Sequence, residues 1–283
     1  MTRVPGARFL RRAEAMNLRG TETHWALMPP ELARRLRPRV ARVGDGLLTL
    51  SERSDSLRMN RVIGLGHRGQ AKQAMIDEII AFYRTSKLRR FSFMLSTGPQ
   101  AKTIAGWLRA RGFRRHGGQS MLARDCRRSV PRATSDVRVV RAGRAHAPLI
   151  VAIHERCFGT PASRRNWALA AAAAPECEQY LGFAGATPVA VGALRIDGDL
   201  AWLGGGATLT RWRRRGAHGA LIAARLRRAD RHGCRWAWVE TVAPLPGRPA
   251  GSWRNLLRMG FEKVCDKPIF VWGAGGRRTG IEA

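Results

Sequence analysis

Several common site signatures are missing from this sequence. No Gly-Lys-Ser/Thr follows its glycine-rich turns, which excludes a phosphate-binding loop of the Walker type. Its five cysteines form no Cys-x-x-Cys pair and its histidines do not join them at ligand spacing, so we expect reduced thiols and no metal. No apolar stretch is long enough to span a bilayer. These absences predict a soluble, cytoplasmic protein without a membrane partner.

Acidic residues are scarce, with 20 Asp and Glu against 51 Lys and Arg, which is a formal net charge of +31. Only 5 of the basic residues are lysines, and the arginines are spread over nearly every segment. A dedicated nucleic-acid protein more often concentrates its charge on one face or tail. We therefore expect salt-dependent affinity for polyanions but no specific nucleic-acid partner. The basic N-terminus, MTRVPGARFLRR, lacks the apolar core of a secretion signal, and we interpret it as a tail rather than an organellar presequence.

The stretch from Leu200 to Gly233 combines a strand, a turn and a helix. Its apolar run, Leu200 to Leu209, predicts a buried strand whose three central glycines allow another backbone or a ligand to approach closely. The basic turn RWRRRGAHG follows, and the helix after it ends at Gly233. Arginines beside the uncovered amides of a helix N-terminus form an anion site, most naturally for a phosphate or pyrophosphate.

This turn resembles the GNAT superfamily of acyl-coenzyme A-dependent N-acetyltransferases, whose signature is Arg/Gln-x-x-Gly-x-Gly/Ala. Arg213 and Gly216 match that signature, and His218 stands where the second glycine is usual. A strand from Cys234 to Val242, a Pro/Gly loop and the segment SWRNLLRMGFEKV from Ser252 then follow in the family's order. The resemblance covers about seventy residues.

The resemblance implies an α/β fold, with a mixed α+β central sheet flanked by helices, and acetyl-CoA as co-substrate. The backbone of Ala207 and Thr208 would bind the pantetheine arm of the coenzyme. Asn255 matches the family's coenzyme-side asparagine, although capping or packing its own helix explains it equally well. The pyrophosphate would be held by the turn and the first residues of the helix, namely Arg213, Arg214, Arg215, Gly216, Ala217, His218, Gly219 and Ala220.

An internal repeat predicts two copies of this fold. Trp107 to Phe113 parallels Asn255 to Phe261, each ending in Gly-Phe, and Ile63 to Gly66 parallels Leu203 to Gly206. We predict domains at residues 1–130 and 131–283, joined by a linker within RRSVPRATS. The first copy has His-Arg-Gly-Gln in place of the signature. We therefore expect it to bind no coenzyme and to resemble the degenerate amino-terminal half of tandem GNAT proteins.

The residues for acid–base chemistry are less clear. Many relatives use a carboxylate on the fourth strand, and Leu200 to Leu209 has none. Glu240, in the otherwise apolar strand Trp236 to Val242, is the candidate general base, and a solvated glutamate at a strand end is an equally good interpretation. Leu256 replaces the family's usual tyrosine acid. His154, Glu155 and Cys157 point in different directions on a helix, which favours surface and core roles.

The predicted function is transfer of an acetyl group from acetyl-CoA to a primary amine by direct attack. The acceptor would be a small molecule resembling an aminoglycoside or an amino acid, or a peptide terminus. The alternative is a non-catalytic GNAT-fold module that binds coenzyme A or a polyanion as a regulator. The sequence does not indicate an oligomeric state.

Overall fold

The computed structural model describes residues 5–242, 244 and 250–273, and its contacts form two compact units. Unit 1 comprises Met1–Ser120 with Cys265–Ala283, and unit 2 comprises Met121–Val264. This division differs from a simple boundary after residue 130. Leu122 already packs in the core of unit 2, while Ile269–Gly273 pair with a strand of unit 1. The assignment of one domain as coenzyme-free and the other as coenzyme-binding stays a prediction.

Unit 1 contains a mixed sheet with helices. Its elements are α1 (Ala7–Ala26), α2 (Pro30–Leu36), β1 (Pro38–Val43), β2 (Gly46–Ser51), β3 (Arg61–Ile63), α3 (Ala74–Arg84), β4 (Arg90–Met94) and α4 (Ala101–Ala110). Two strands extend across the unit boundary, β5 (Arg114–Asp125) and β11 (Glu262–Gly273). Strands β1, β2 and β3 pair antiparallel, β3 and β4 parallel, and β4 and β11 antiparallel.

The expected N-terminal tail is wrong from Ala7 onward. Residues Ala7–Ala26 form a helix of five turns because Phe9, Ala13 and Met16 recur at helical spacing and are buried on one side. A buried ion pair also anchors this helix, since Nζ of Lys267 lies 2.8 Å from the Glu14 carboxylate. Basic residues on the other side of the helix hid this periodicity in the sequence.

Unit 2 contains an antiparallel sheet with one parallel strand. Its remaining elements are β6 (Arg138–Ala142), α5 (Ala147–Phe158), α6 (Arg165–Ala173), β7 (Glu178–Ala184), β8 (Thr187–Asp197), β9 (Leu200–Thr208), α7 (Ala217–Arg231), β10 (Trp236–Val242) and α8 (Gly251–Arg258). Strands β6 to β9 form an antiparallel meander, and β10 joins β9 in parallel. The predicted mixed sheet flanked by helices is therefore confirmed. Most of the predicted Pro/Gly loop from Pro244 to Gly251 lies outside the described residues.

Helices cover both faces of the unit 2 sheet. On one, the α7 face, Leu203 and Ala237 pack with Leu221 and Leu226 of α7. On the other, the α5 face, Val191 and Ala207 pack with helix α5. Because side chains alternate along a strand, neighbouring residues of β9 and β10 face different helices. In the described ranges, no helix is both long and apolar enough to cross a bilayer.

Candidate active site at the β9–α7 turn

The three glycines of β9 interrupt its pairing with β8. Ala193 pairs with Gly204 and Val191 with Ala207, so β9 has an extra residue at this point and forms a β-bulge. Gly205 has φ +58°, which glycine adopts without strain. A Cβ atom on Gly204 would lie 1.9 Å from the Trp202 ring. Glycine is therefore required here by backbone conformation and by close packing.

Strands β9 and β10 are joined only at their first residues. The parallel register pairs Leu200–Trp202 with Trp236–Trp238, and no later pair is formed between the described residues of these strands. The rest of β9 pairs with β8 on its other edge. Ala207 and Thr208, the predicted pantetheine contacts, lie in this later part. The Thr208 carbonyl accepts a hydrogen bond from Nε of Arg213 at 3.3 Å.

The basic turn has two left-handed residues. Arg214 has φ +66° and Gly216 has φ +74°, and the side chains of Arg213, Arg214 and Arg215 are exposed. A Cβ atom on Gly216 would lie 2.1 Å from the carbonyl oxygen of Thr134. Gly216 is therefore needed for the fold of the turn itself, as well as for its predicted role in binding.

Helix α7 begins at Ala217, directly after this turn. Its first intrahelical bond is the 3.0 Å bond that Ala220 N–H donates to the carbonyl of Gly216. The amides of residues 217–219 precede that bond, and the positive end of the helix dipole lies with them. The predicted contact through the amide of Ala220 is thus engaged inside the helix. The other amides and the exposed arginines have the chemistry of an anion site.

His218 and Asn255 contact each other between α7 and α8. Nδ2 of Asn255 lies 3.1 Å from Nδ1 of His218, so the amide donates and the ring nitrogen accepts. The proton of the neutral imidazole is therefore on Nε2. A Cβ atom added to Gly206 would lie 3.3 Å from this nitrogen. Burial and, to a smaller extent, the nearby charge of Arg225 together lower the pKa of His218 to about 4. Asn255 does not cap its own helix, whose N-cap residue is Ala250.

Arg225 is a buried residue beside the site that the sequence pattern did not reveal. Although it is an arginine, it is buried over Gly192 of β8. Its Nη1 donates to the carbonyls of Ala193 at 2.9 Å and Gly204 at 3.1 Å. Burial lowers the pKa of Arg225 to about 10, so the side chain is still charged at neutral pH. The sequence contains one signal for this arrangement, because Gly192 in the apolar strand β8 has no side chain and leaves space for that of Arg225.

His154 contacts the same bulge from helix α5. Its Nε2 lies 2.9 Å from the carbonyl oxygen of Gly205, and its ring is half-buried. Burial lowers the pKa of His154, while the hydrogen bond to Gly205 raises it to a smaller extent. From the sequence we expected only a surface or core role for His154. Its spacing on the helix does not reveal the bulge of β9 that it contacts.

Glu240 is half-buried on β10. Trp238 pairs with Trp202 across the parallel register, and Glu240 follows Trp238 by two residues. Because Leu203 packs on the α7 face, Trp202, Trp238 and Glu240 belong to the α5 face. No group of three or more potential metal-ligating side chains is present in the described part of the chain.

Comparison with known proteins identifies the fold. No family model and no curated protein matches the sequence. Solved structures do match, among them a GCN5-related N-acetyltransferase from Kribbella flavida, at 18% identity and a TM-score of 0.61 over 94% of this chain and 96% of that one. A tandem GNAT protein from the clavulanic acid biosynthesis pathway matches at 16% identity and a TM-score of 0.60, over 84% and 82% of the two chains. The chain has a tandem GNAT fold.

A third structure of this fold, a GCN5-related N-acetyltransferase from Sphaerobacter thermophilus, matches at 13% identity and a TM-score of 0.59, over 84% of this chain and 82% of that one. At such identities the similarity describes the fold alone. The chemistry of the site has to be argued from the residues of this chain.

The corresponding turn of the first GNAT copy, in unit 1, is filled by its own side chains. A Cβ atom on Gly66 would lie 2.4 Å from Ile104, and Nδ1 of His67 lies 3.1 Å from the Asp45 carboxylate. That hydrogen bond raises the pKa of His67, and Asp45 accepts two further bonds from the backbone of this turn. The polar groups of this loop are thus bonded within unit 1.

Proposed function

We propose that unit 2 is an acyl-CoA-dependent N-acetyltransferase that transfers an acetyl group to a primary amine. The observation that carries this proposal is the start of α7, where exposed Arg214 and Arg215 stand beside amides that precede the first intrahelical bond. This arrangement suits the pyrophosphate of a coenzyme. The end of the β9–β10 register at Trp202 supports a place for the pantetheine arm beside Ala207 and Thr208.

Acetyl-CoA would supply an activated acyl group, and the residues of this chain would bind and orient it. Side chains and amides between Arg213 and Gly219 would hold the pyrophosphate. Nδ2 of Asn255 donates one hydrogen to His218, and its second hydrogen or Oδ1 would remain for a contact with the coenzyme. The fit is therefore good at the turn and compatible with a contact from α8.

The attacking amine has to be neutral. An amine with a pKa of about 10.4 is neutral in only about one molecule in a few thousand at pH 7, which corresponds to about 4–5 kcal/mol. A base in the site is therefore valuable. Glu240 is the base proposed from the sequence, and its position on the α5 face of β10 is compatible with that role.

The departing thiolate has no tyrosine acid in the expected position. Leu256 stands there and is buried in the core of unit 2. The thiol of coenzyme A is acidic enough to leave without strong assistance, since thiols have pKa values near 8.5. A missing tyrosine is therefore compatible with turnover.

The first test is coenzyme binding by the purified protein, measured by calorimetry with acetyl-CoA at high salt, which suppresses non-specific attraction of anions. We expect saturable binding of one coenzyme. In the variant Arg214→Ala/Arg215→Ala the Kd should rise about ten- to hundredfold, because charge-assisted hydrogen bonds to phosphate are lost.

The matched control is Arg227→Ala/Arg231→Ala, which removes two exposed arginines of the same helix further from its N-terminus. Its Kd should stay close to that of the unchanged protein. Equal weakening in both double variants would mean that the overall charge binds the coenzyme. Absence of saturable binding would contradict the proposed function.

The acceptor remains a small amine or a peptide terminus, and we propose a cytoplasmic location. One observation favours the alternative of a non-catalytic module, namely the bond between His218 and Asn255, which uses one hydrogen-bonding group of each side chain. The two functions differ in one result. Coenzyme binding without release of free thiol, in the presence of any amine tested, would favour the regulatory module.

A further inference from the structure

We propose that His154 is the base that accepts the proton of the attacking amine, an inference that rests on the proposed acetyl transfer. His154 lies on α5 and contacts the bulge of β9 at Gly205. The strand itself offers no carboxylate from Leu200 to Thr208. A histidine from the facing helix would thus supply a group that this strand lacks.

The contact with Gly205 determines which ring nitrogen is free. A carbonyl oxygen can only accept a hydrogen bond, so Nε2 of His154 donates to it over 2.9 Å and carries the proton. In the neutral ring the lone pair is then on Nδ1. That nitrogen has no hydrogen-bond partner in residues 5–242, 244 and 250–273. His154 therefore has an oriented and unoccupied proton acceptor.

The surroundings keep this ring neutral. Glu155, its neighbour on α5, is bonded to Arg165 of α6 at 2.5 Å, while Arg156 is exposed. Cys157 is uncharged because burial raises the pKa of its thiol, against a smaller opposite effect of Arg213. On β9 the uncharged backbone of Gly205 contacts the ring, and Ala193 of β8 lies beside the same glycine. Since burial lowers the pKa of His154, the free base predominates at neutral pH.

The bulge gives His154 a defined position relative to the strand. A Cβ on Gly205 would lie 3.8 Å from Cε1 of His154, so the ring lies directly against this glycine. On the α7 face, Arg225 binds the carbonyl of Gly204. The two carbonyls of the bulge are thus bonded from opposite faces by His154 and Arg225. These bonds hold the backbone that lies beside the open edge of β9.

The proposed step conserves atoms and charge. The nitrogen of a neutral amine forms a bond to the acetyl carbonyl carbon, and its proton passes to Nδ1 of His154. The carbon–sulfur bond then breaks, and its electron pair stays on sulfur as a thiolate. The thiolate takes a proton from solvent, and the imidazolium returns one to solvent. The products are an N-acetyl amide and the free thiol of coenzyme A.

The variant His154→Gln removes the proton acceptor and keeps the hydrogen bond to Gly205. The Nε2 amide of glutamine can still donate to the carbonyl of Gly205 but cannot accept a proton near neutral pH. We expect coenzyme affinity within about twofold of the unchanged protein and a kcat lower by about a hundredfold or more, as for loss of a general base. His232→Gln, an exposed histidine at the end of α7, is the control and should retain full activity.

Activity is measured as release of free thiol from acetyl-CoA with spermidine, kanamycin or glycylglycine as acceptor, over a range of pH. The acidic limb of the pH profile should reflect His154 and disappear in His154→Gln. If His154→Gln keeps full activity and the limb, the proposal is wrong. It is also wrong if the limb is lost only in Glu240→Gln, the variant of the base proposed from the sequence.

A second readout needs no acceptor. In proton NMR spectra, the imidazole signal absent from His154→Gln should titrate with a midpoint below the ordinary histidine value of about 6.5. A midpoint well above neutral pH would overturn the proposal, because the ring would then be protonated and could not accept the proton of the amine. Calorimetry distinguishes a failure of the proposed acetyl transfer from a failure of the proposed role of His154. No coenzyme binding by the unchanged protein refutes acetyl transfer, whereas normal binding with a fully active His154→Gln refutes only this role of His154.

Discussion

His218 shows how one residue departs from the pattern of the signature. The position usually held by glycine carries an imidazole that is bonded to Asn255 and faces Gly206. Its pKa of about 4 lies well below the ordinary value of about 6.5 because the ring is buried. In the unfolded chain the same ring would take up a proton near pH 6.5.

This difference predicts a pH-dependent stability. Between pH 6.5 and 4 the unfolded state binds more protons at this position, so stability is lost as the pH falls through that range. Between pH 7.5 and 4.5 the free energy of unfolding should fall by about 2–3 kcal/mol less in His218→Gln than in the unchanged protein. Urea unfolding at both pH values measures it. His232→Gln, the control, should show the same fall in the free energy of unfolding as the unchanged protein. If His218→Gln also shows that same fall, His218 is protonated in the folded state and the prediction is wrong.

At the scale of elements, the turn between β9 and α7 has a strict steric requirement. Gly216 combines a left-handed backbone with a close approach to the carbonyl of Thr134. The hydroxyl of Ser135 also donates to the carbonyl of Arg215 at 2.8 Å. A bulky residue at 216 would therefore disturb the fold, because it would push this neighbouring segment away.

We predict that Gly216→Ala lowers the free energy of unfolding by about 2–4 kcal/mol, from backbone strain together with the clash. Gly233→Ala is the matched control, because Gly233 has φ +72° but open space around its Cβ position. It should lose only about 1 kcal/mol, the part due to the backbone. Denaturant unfolding of both variants checks this. Equal losses would mean that the segment at Thr134 moves aside without lowering the free energy of unfolding.

At the scale of the whole molecule, the excess of arginine is the dominant property. A net charge of +31 attracts any polyanion, whether or not the protein has a nucleic-acid function. Individual arginines are also used internally, as Arg228 is with Glu178 at 2.7 Å and Arg235 with Asp125 at 2.6 Å. The acidic partners of these ion pairs are already subtracted in the net charge, so the excess of +31 is left to attract external anions.

We predict that the protein binds DNA duplexes of unrelated sequence with equal affinity, and that this affinity falls steeply between 50 and 200 mM salt, by on the order of a hundredfold or more. Fluorescence anisotropy with two duplexes of equal length and different sequence measures both properties. Acetyl-CoA at saturation should leave the binding unchanged. A preference of tenfold or more for one duplex would support the regulatory alternative instead.

The sequence alone determined the mixed sheet and the strand–turn–helix unit, and it predicts an anion site at the turn. These features depend on local patterns, namely the apolar alternation of β9, the glycines of its bulge and the arginines before α7. It also determined the internal repeat, because Gly-Phe follows both α4 and α8 closely. Such signals are read within about twenty residues, and tertiary packing did not reverse them.

Only the tertiary structure decided the rest. It brought His154 to Gly205, buried Arg225 against two carbonyls and joined His218 to Asn255. It also paired the end of β11 with β4 of unit 1, although the two are far apart in the chain. These contacts join residues that are separated by dozens of positions or more. No local periodicity encodes them, because they form only when the strands and helices have packed together.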